Sequence, residues 1–175
     1  MTQTIPPPQT KLDIDGEETL SRMLMDLINT FPSMNGRKVC FSTLEQTSGI
    51  GFFPLSGAAV IKETKDITGT CYQTCQYPFV IIYRAAPKNE EARLRIKEFL
   101  DLLGKWLEKQ AVPSANPTQI DAFLSPDGSR RIKTISRTSP AYLDKAYDDG
   151  IEEWCISINA TYKNTFNIMR GNIYG

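Results

Sequence analysis

The sequence contains no histidine. This absence removes the side chain that most often acts as a general base near neutral pH and as a ligand for first-row metals. Glycosidase chemistry would need two carboxylates that face one pocket, and the acidic residues fall mostly on predicted helix faces and in turns. We therefore predict that the protein is not an enzyme and has no catalytic residues, no metal site and no cofactor.

Several motifs that carry chemistry are also missing from the chain. It has no phosphate-binding G-x-x-x-x-G-K-[ST] loop, no dinucleotide-binding G-x-G-x-x-G, no G-x-S-x-G nucleophile elbow and no zinc-binding H-E-x-x-H. The nearest fragments are GIG at residues 49–51 and SPDG at residues 125–128. Both are short turn sequences without an acid, base or lysine at a motif spacing, so they indicate turns and not sites.

The chain has no excess of charge of either sign, because 20 Lys and Arg residues balance 20 Asp and Glu residues. No long-range field therefore draws it to DNA, RNA or an anionic membrane. No apolar run approaches the roughly 20 residues that span a bilayer, and the opening MTQTIPPPQT has neither a basic nor an apolar signal region. We expect a soluble protein without a visible secretion signal, which does not bind a membrane.

Cysteine is scarce, and the four residues are Cys40, Cys71, Cys75 and Cys155. Cys71 and Cys75 have the spacing C-x-x-x-C, whereas a zinc site favours C-x-x-C pairs or histidines. Ordinary buried or half-buried thiols are therefore favoured over a metal or redox site. Cys155 is the one candidate for a reactive thiol, but its place on the polar side of a predicted strand favours a plain surface thiol.

The length of 175 residues is that of one domain, which can bury roughly 70% of the surface that its unfolded chain exposes. The polar opening contains the run Pro6-Pro7-Pro8, which favours an extended arm. A ligand for a proline-reading domain is the alternative interpretation of this run. We predict an extended N-terminal arm at residues 1–15 and a single α+β domain at residues 16–175.

Two amphipathic helices are indicated by apolar residues at helical spacing. Asp15 and Glu18 resemble a capping box for the first helix, and its pattern ends at Pro32. Asn89 can cap the second helix, which is predicted over Glu90–Gln110. The two apolar stripes consist of Leu20, Met23, Leu24, Leu27, Ile28 and Phe31, and of Ala92, Ile96, Phe99, Leu100, Leu103, Trp106 and Leu107.

The strand-like segments are KVCFSTL, AAVIKET, TGTCYQTC, YPFVIIYRA and the alternating residues 154–163. AAVIKET and TGTCYQTC are expected to pair across the KDITG turn. The continuous apolar run in YPFVIIYRA predicts a central strand buried on both faces. Together these segments predict an α+β fold in which two amphipathic helices pack on a mostly antiparallel sheet.

Two segments without clear periodicity are interpreted as connections. TSGIGFFPLSG is rich in breakers and is predicted to be a loop, in which Phe52 and Phe53 either pack on their own core or anchor a subunit contact. AVPSANPTQ is predicted to be a linker or surface loop, because Pro, Ser, Asn and Thr recur along it.

The remaining segments are a predicted hairpin and the end of the chain. DAFLSPDGSRRIKTISR predicts a protruding β-hairpin, whose second arm carries Arg130, Arg131 and Lys133. These basic side chains either are solvated or meet phosphate or an acidic partner surface. The C-terminal Ile173 and Tyr174 make the tail more apolar than a free end usually is, so the tail is expected to pack on its own domain or on a neighbour.

The order of these elements, with the pieces RIKEFLDLLGKWLE and EEWCISINATYK, resembles the minor capsid and tail terminator proteins of long-tailed phages of Gram-positive hosts. The resemblance covers residues 20–166 and includes no catalytic motif. It implies a small α+β subunit that forms a homohexameric ring at the head-proximal end of the tail. Such a ring ends the polymerisation of the tail tube and joins the tail to the neck.

The resemblance also implies partners and a location. The partners are the major tail tube protein and the neck or connector proteins of the head, and genome DNA passes through the lumen without specific binding. The location is the tail–neck junction of the virion, with assembly in the host cytoplasm. The predicted contact residues are Phe52, Phe53, Arg130, Arg131, Lys133, Ile173 and Tyr174.

Three alternatives to the tail terminator remain open. Another head–tail joining protein of the same phage neck would show the same lack of catalytic motifs. A small α+β binding protein unrelated to phages would also fit the element pattern. An enzyme of unfamiliar type would need a polar pocket with perturbed carboxylates or a reactive cysteine, for which Cys155 is the candidate.

Overall fold

The computed structural model describes residues 10–110 and 123–168, in which two helices pack on one seven-stranded sheet. In chain order the elements are α1 (Ile14–Asn29), β1 (Val39–Phe41), β2 (Gly49–Pro54), β3 (Ala59–Lys65), β4 (Thr70–Ala85), α2 (Glu90–Gln110), β5 (Arg130–Arg137), β6 (Tyr142–Ala146) and β7 (Glu152–Asn167). A short 3-10 turn, Pro32–Met34, follows α1. The predicted linker at residues 111–119 lies outside the described residues.

The sheet is built around two long strands, β4 and β7, which pair antiparallel from Thr70↔Asn167 to Ala85↔Glu152. On the outer side of β4, β3 pairs with its first half and β2 with its second half. On the outer side of β7, β6 pairs with its first part and β5 with its second part. β1 continues the sheet beyond β2 as the one parallel pair among the described strands. The predicted α+β class and mostly antiparallel sheet are confirmed.

Both helices cover the same face of the sheet, and their apolar stripes form the core with it. α1 buries Leu20, Leu24, Leu27 and Ile28, and α2 buries Ile96, Leu100, Leu103 and Leu107. Burying one such side chain contributes about 1.5–3 kcal/mol. They meet the buried sheet residues Tyr77, Phe79, Ile81, Ile156, Ile158, Ala160 and Tyr162. The two predicted stripes are confirmed as core.

The helix ends follow local capping chemistry. Asn89 caps α2 as predicted, because its Oδ1 accepts a hydrogen bond from Ala92 N at 2.9 Å. The predicted cap of α1 is wrong: Asp13 is the capping residue, and its Oδ1 accepts from Gly16 N at 3.2 Å. Glu18 pairs instead with Arg22 one turn further along the helix. The end of α1 at Asn29, before Pro32, is as predicted.

Two predicted strands, TGTCYQTC and YPFVIIYRA, are one strand in the structure, β4. Pro78 falls in the gap where β4 changes its outer partner, since β3 pairs with β4 up to Gln76 and β2 pairs with β4 from Phe79 onward. Leu55 N donates to the Pro78 carbonyl on that outer side. The N–H and C=O of a strand residue point to the same side, so the N–H that proline lacks would have pointed into the gap, away from β7. The predicted pairing of AAVIKET across the KDITG turn is confirmed.

The predicted loop around Phe52 and Phe53 is wrong, because residues 49–54 form strand β2. Its glycines suggested a breaker, but Gly51 is needed for close packing. A Cβ atom at this position would lie 2.4 Å from Phe53 Cε2 and 3.0 Å from the Thr43 carbonyl oxygen.

The predicted hairpin is present only as its turn and a short pairing. Gly128 N donates to Ser125 O at 2.9 Å, and Leu124 forms a single bridge with Arg131. The second arm, β5, pairs with β7 from Arg130↔Asn164 to Arg137↔Ile158. This arm is therefore part of the main sheet and does not protrude.

The predicted arm at residues 1–15 is divided by the structure. Residues 1–9 lie outside the described part. Leu12 bridges Ala59 at the edge of β3, and Val60 N donates to Lys11 O at 2.8 Å. Ile14 and Asp15 already belong to α1.

Candidate assembly surfaces

The sequence-predicted contact residues do not form one surface. Phe52 is 0% exposed and stacks on Phe79, with ring centroids 4.6 Å apart. Phe53 points to the opposite face of β2 and is half-buried. Phe52 therefore belongs to the core, as one of the two interpretations of this pair had it. Ile173 and Tyr174 lie outside the described residues.

Arg130 is buried and bound to an aspartate 117 residues away in the chain. Its Nε donates to Asp13 Oδ2 at 2.8 Å and its Nη2 to Asp13 Oδ1 at 2.7 Å. The Tyr162 hydroxyl also donates to Asp13 Oδ2, at 2.7 Å. The interpretation of Arg130 as a solvated side chain is wrong, because its guanidinium joins β5 to the start of α1.

The charge of Asp13 is stabilised inside this network. Burial raises the pKa of Asp13, but hydrogen bonds from Arg130 and Tyr162 outweigh burial and bring the pKa below its ordinary value. In turn, the hydrogen bond to Asp13 raises the pKa of Arg130. The network is therefore a satisfied buried ion pair, which serves the fold and leaves no unpaired charge for a substrate.

Arg131 and Lys133 are half-exposed residues of β5. Arg131 stands opposite Lys163 in the antiparallel pair with β7, and Lys133 falls at the irregularity of that pair. Arg131 and Lys163 therefore place two positively charged side chains next to each other on the sheet. Arg131 and Lys133 remain predicted partner contacts.

Two buried glutamates at the start of β7 form a cluster that sequence reasoning missed. Glu152 accepts from Arg93 Nε at 2.8 Å and from Trp154 Nε1 at 2.9 Å. Glu153 accepts from Arg84 Nε at 3.0 Å and also pairs with Arg84 Nη2. Successive residues of a strand point to opposite faces, so the two carboxylates do not converge on one pocket. The pattern EEW after a turn gave no signal of burial.

Cys155 is buried and not the surface thiol that the sequence suggested. Burial, together with the nearby Asp144, raises the pKa of this thiol to about 12. A thiol with this pKa is protonated at neutral pH and is a poor nucleophile. Cys40 is the exposed cysteine of the described residues.

Exposed apolar side chains lie at two opposite edges of the sheet. At one edge, β6 is exposed along its whole length and includes Tyr142 and Leu143, which are 41% and 43% exposed. At the other edge, Phe41 of β1 is 49% exposed. A groove of about 700 Å³ lies between Phe41 and α1, where it is lined by Ile14, Glu17, Glu18, Ser21, Arg22, Met25, Asp26 and Asn29.

No group of three or more potential metal ligands occurs among residues 10–110 and 123–168. Neither described helix has the combination of length and apolar content that a membrane span requires. In comparisons with known proteins, no protein-family model and no curated protein matches the chain.

Proposed function

We propose that the protein is a structural virion subunit that forms a homohexameric ring at the head-proximal end of the tail of a long-tailed phage. The ring ends tail tube polymerisation and joins the tail to the neck. Its partners are the major tail tube protein and neck or connector proteins, and it is located at the tail–neck junction after assembly in the host cytoplasm. The resemblance of RIKEFLDLLGKWLE and EEWCISINATYK to the tail terminator family supports this proposal.

The observation that carries the proposal is the pair of unlike apolar surfaces at opposite edges of one sheet. One contains Tyr142 and Leu143 on β6, and the other contains Phe41 beside the α1 groove. When a surface on one side of a subunit binds a different surface on the other side of the next, the contact is head-to-tail. Such a contact generates a ring when the rotation closes.

The charge of the chain also supports a ring around DNA. The formal net charge is zero, with 20 basic and 20 acidic residues. Binding to the phosphate backbone depends on an excess of Lys and Arg at the contact. A ring of neutral subunits therefore lets the genome pass without gripping it.

Tail tube growth tests the proposed function. Purified tube protein of the same phage is allowed to polymerise, and light scattering is followed with and without the full-length chain. We expect growth to stop at tubes that carry the chain at one end. Unchanged growth, with no chain retained on sedimented tubes, would contradict the tail terminator.

A pull-down separates this function from the other joining proteins of the neck. Binding to portal-side proteins without binding to the tube would assign the chain to a different joint. Truncation after Ile168, which leaves β7 intact, tests Ile173 and Tyr174 as contacts, since we expect the truncated chain to lose ring assembly.

A further inference from the structure

Two edges of the sheet are partly covered by other segments of the chain. β3 receives the segment before α1, because Val60 N donates to Lys11 O at 2.8 Å. β5 receives the segment before its turn, because Ile132 N donates to Phe123 O at 2.8 Å. These two strands pair with the Thr70 half of β4 and the Asn167 half of β7. Both edges in this half of the sheet are thus already partly paired.

The edges in the other half of the sheet differ. β1 pairs with β2 and β6 pairs with β7, and within the described residues neither has a second strand on its outer side. Val39 N of β1 donates to Asn29 Oδ1 at 2.9 Å, so the open part of the β1 edge lies beyond Val39. Open backbone edges with exposed apolar side chains favour pairing with another chain. Phe41 and Leu143 place such side chains at the two edges.

The two open edges stand at the same height on opposite sides of the sheet. Phe41, Phe52, Ile81 and Ile156 form one row across β1, β2, β4 and β7. Tyr142 of β6 is opposite the residue that precedes Ile156 in β7. A second copy placed beside the first therefore brings β6 level with β1 without a large shift along the strands.

The side chains at the two edges match by face. Phe41 and Leu143 lie on the helix-covered face, because Phe41 pairs with Phe52 and Leu143 with Trp154. Cys40 and Lys145 lie on the opposite face, because Cys40 pairs with Gly51 and an irregularity after Leu143 pairs Lys145 with Glu153. Pairing β6 with β1 would therefore place Leu143 of one copy against Phe41 and the α1 groove of the next.

Charge on the helix-covered face does not oppose this partner, because the two bases beside β6 are paired with carboxylates of their own chain. The α1 groove carries Glu17, Glu18 and Asp26 against one base, Arg22. Beside β6, α2 carries two partly exposed basic residues. Arg93 forms an ion pair with Glu152, which lies opposite the end of β6. Lys97 forms an ion pair with Asp101, whose Oδ1 accepts a hydrogen bond from the backbone N of Ala141, just before β6.

We propose that β6 of one copy pairs with β1 of the next, so that one sheet continues from subunit to subunit around the ring. The partner is thus a second copy of this chain, held by backbone hydrogen bonds, by Leu143 on Phe41 and by α2 beside α1. The two edges are unlike, so the contact is head-to-tail. This inference rests on the proposed ring and specifies the contact that forms it.

Disulfide trapping tests the pairing, and the native Cys40 supplies one partner. Lys145→Cys adds the second thiol on the same face of β6, and Tyr142→Cys adds it at another register of that face. Opposed residues of paired strands have Cβ atoms about 4.5–5.5 Å apart, close to disulfide geometry. After mild oxidation of the full-length variants, we expect a ladder up to the hexamer on a non-reducing gel for at least one of them.

Matched controls make the trap specific. Adding Cys40→Ser to either variant should abolish the ladder. Lys62→Cys, which replaces an exposed lysine on β3, should give no ladder, because β3 is not at the proposed contact. The unmodified chain should give none, and a Cys40–Cys40 dimer would indicate pairing of like edges and overturn the proposal.

The other outcomes separate this proposal from the proposed function. If the protein is a hexamer but neither cysteine pair forms a disulfide ladder, the strand pairing is wrong and the proposed ring still stands. If the hexamer is trapped but does not stop tube growth, the proposed tail terminator function is wrong and the β6–β1 pairing still stands. A ladder that appears only after deletion of residues 1–9 would show that the chain covers its own β1 edge, which would overturn the pairing in the full chain.

Discussion

Asp13 connects three parts of the fold through one carboxylate. It caps α1 through Gly16 N, it binds the Arg130 guanidinium of β5 through two hydrogen bonds, and it accepts from the Tyr162 hydroxyl of β7. A buried ion pair of this kind stabilises little compared with apolar residues of the same shape, but removing one partner leaves an uncompensated buried charge. Arg130 and Asp13 are therefore expected to be sensitive to single substitutions.

We predict that Arg130→Ala lowers the free energy of unfolding by about 3–5 kcal/mol, because Asp13 stays buried without its partner. Denaturant unfolding measures the change. The control is Arg95→Ala, which breaks an exposed i,i+4 pair with Glu91 and should cost less than about 1 kcal/mol. Equal effects of the two substitutions would show that the buried pair has no special role.

The stability of the protein should depend on pH through the Asp13–Arg130 ion pair. Hydrogen bonds lower the pKa of Asp13 from its ordinary value of 3.8 in spite of burial. Its contribution to stability is therefore complete above the unfolded pKa and is lost as the pH falls through the folded pKa. Between pH 5 and pH 3, the wild type should lose more stability than Asp13→Asn, which keeps the other acidic groups. Parallel curves would contradict this assignment.

At the scale of elements, α2 approaches the sheet closely at Gly104. A Cβ atom at this position would lie 2.7 Å from Ile156 Cδ1 and 2.5 Å from Arg137 Cδ. Ile156 is fully buried and Arg137 is held by Glu108, so neither side chain moves freely. The glycine therefore sets the distance between α2 and the strands β5 and β7.

We predict that Gly104→Ala destabilises the protein by about 1–2 kcal/mol. Overpacking against Ile156 costs about 1–3 kcal/mol, which exceeds the gain of up to about 1 kcal/mol in helix propensity. Thermal unfolding measures the change, and the exposed Lys105→Ala next to it should stay within about 0.5 kcal/mol. A stabilised Gly104→Ala variant would show that the helix has room to move away from the sheet.

The two helices could be predicted from sequence because their signals are local. The stripe that contains Leu100 and Leu103 and the cap at Asn89 depend on residues within a few turns. The α1 cap was placed two residues late, because Asp13 and Asp15 are both suitable caps in sequence. Only the tertiary partner Arg130 distinguishes them.

Strand boundaries depended on partners that the sequence does not show. The sequence predicted two strands where β4 is one, and Pro78 is tolerated inside β4 because it lies at the gap between its partners β3 and β2, where no N–H is needed. The glycines of β2 suggested a loop, although Gly51 lets two segments pack closely. The exposed β6 has no buried face, so its alternation could not reveal it.

The candidate contact residues were the least predictable part. Exposure depends on which strands remain at the edge of the sheet, and this is a property of the whole topology. Phe52 was expected on a loop or in the core and is core, whereas Phe41 and Leu143 were not considered at all. The sequence of a short strand does not show whether its apolar side chains pack against the same chain or against another subunit.

At the scale of the whole molecule, the topology divides the sheet into a closed half and an open half. Segments of the chain lie beside β3 and β5 in one half, while β1 and β6 end the other half on opposite sides. A subunit with two unlike open edges can bind a copy of itself at each side. This arrangement is the structural basis of the proposed ring, and it requires no residue that makes or breaks a covalent bond.

Head-to-tail self-association can be measured as the native mass of the full-length protein, alone and after mixing with tube protein. We expect a hexamer in at least one of the two samples. Leu143→Lys, which puts a charge at the β6 edge, should shift that hexamer towards monomer. A strict monomer of 19.7 kDa in both samples, up to the highest soluble concentration, would show that the chain does not form a ring.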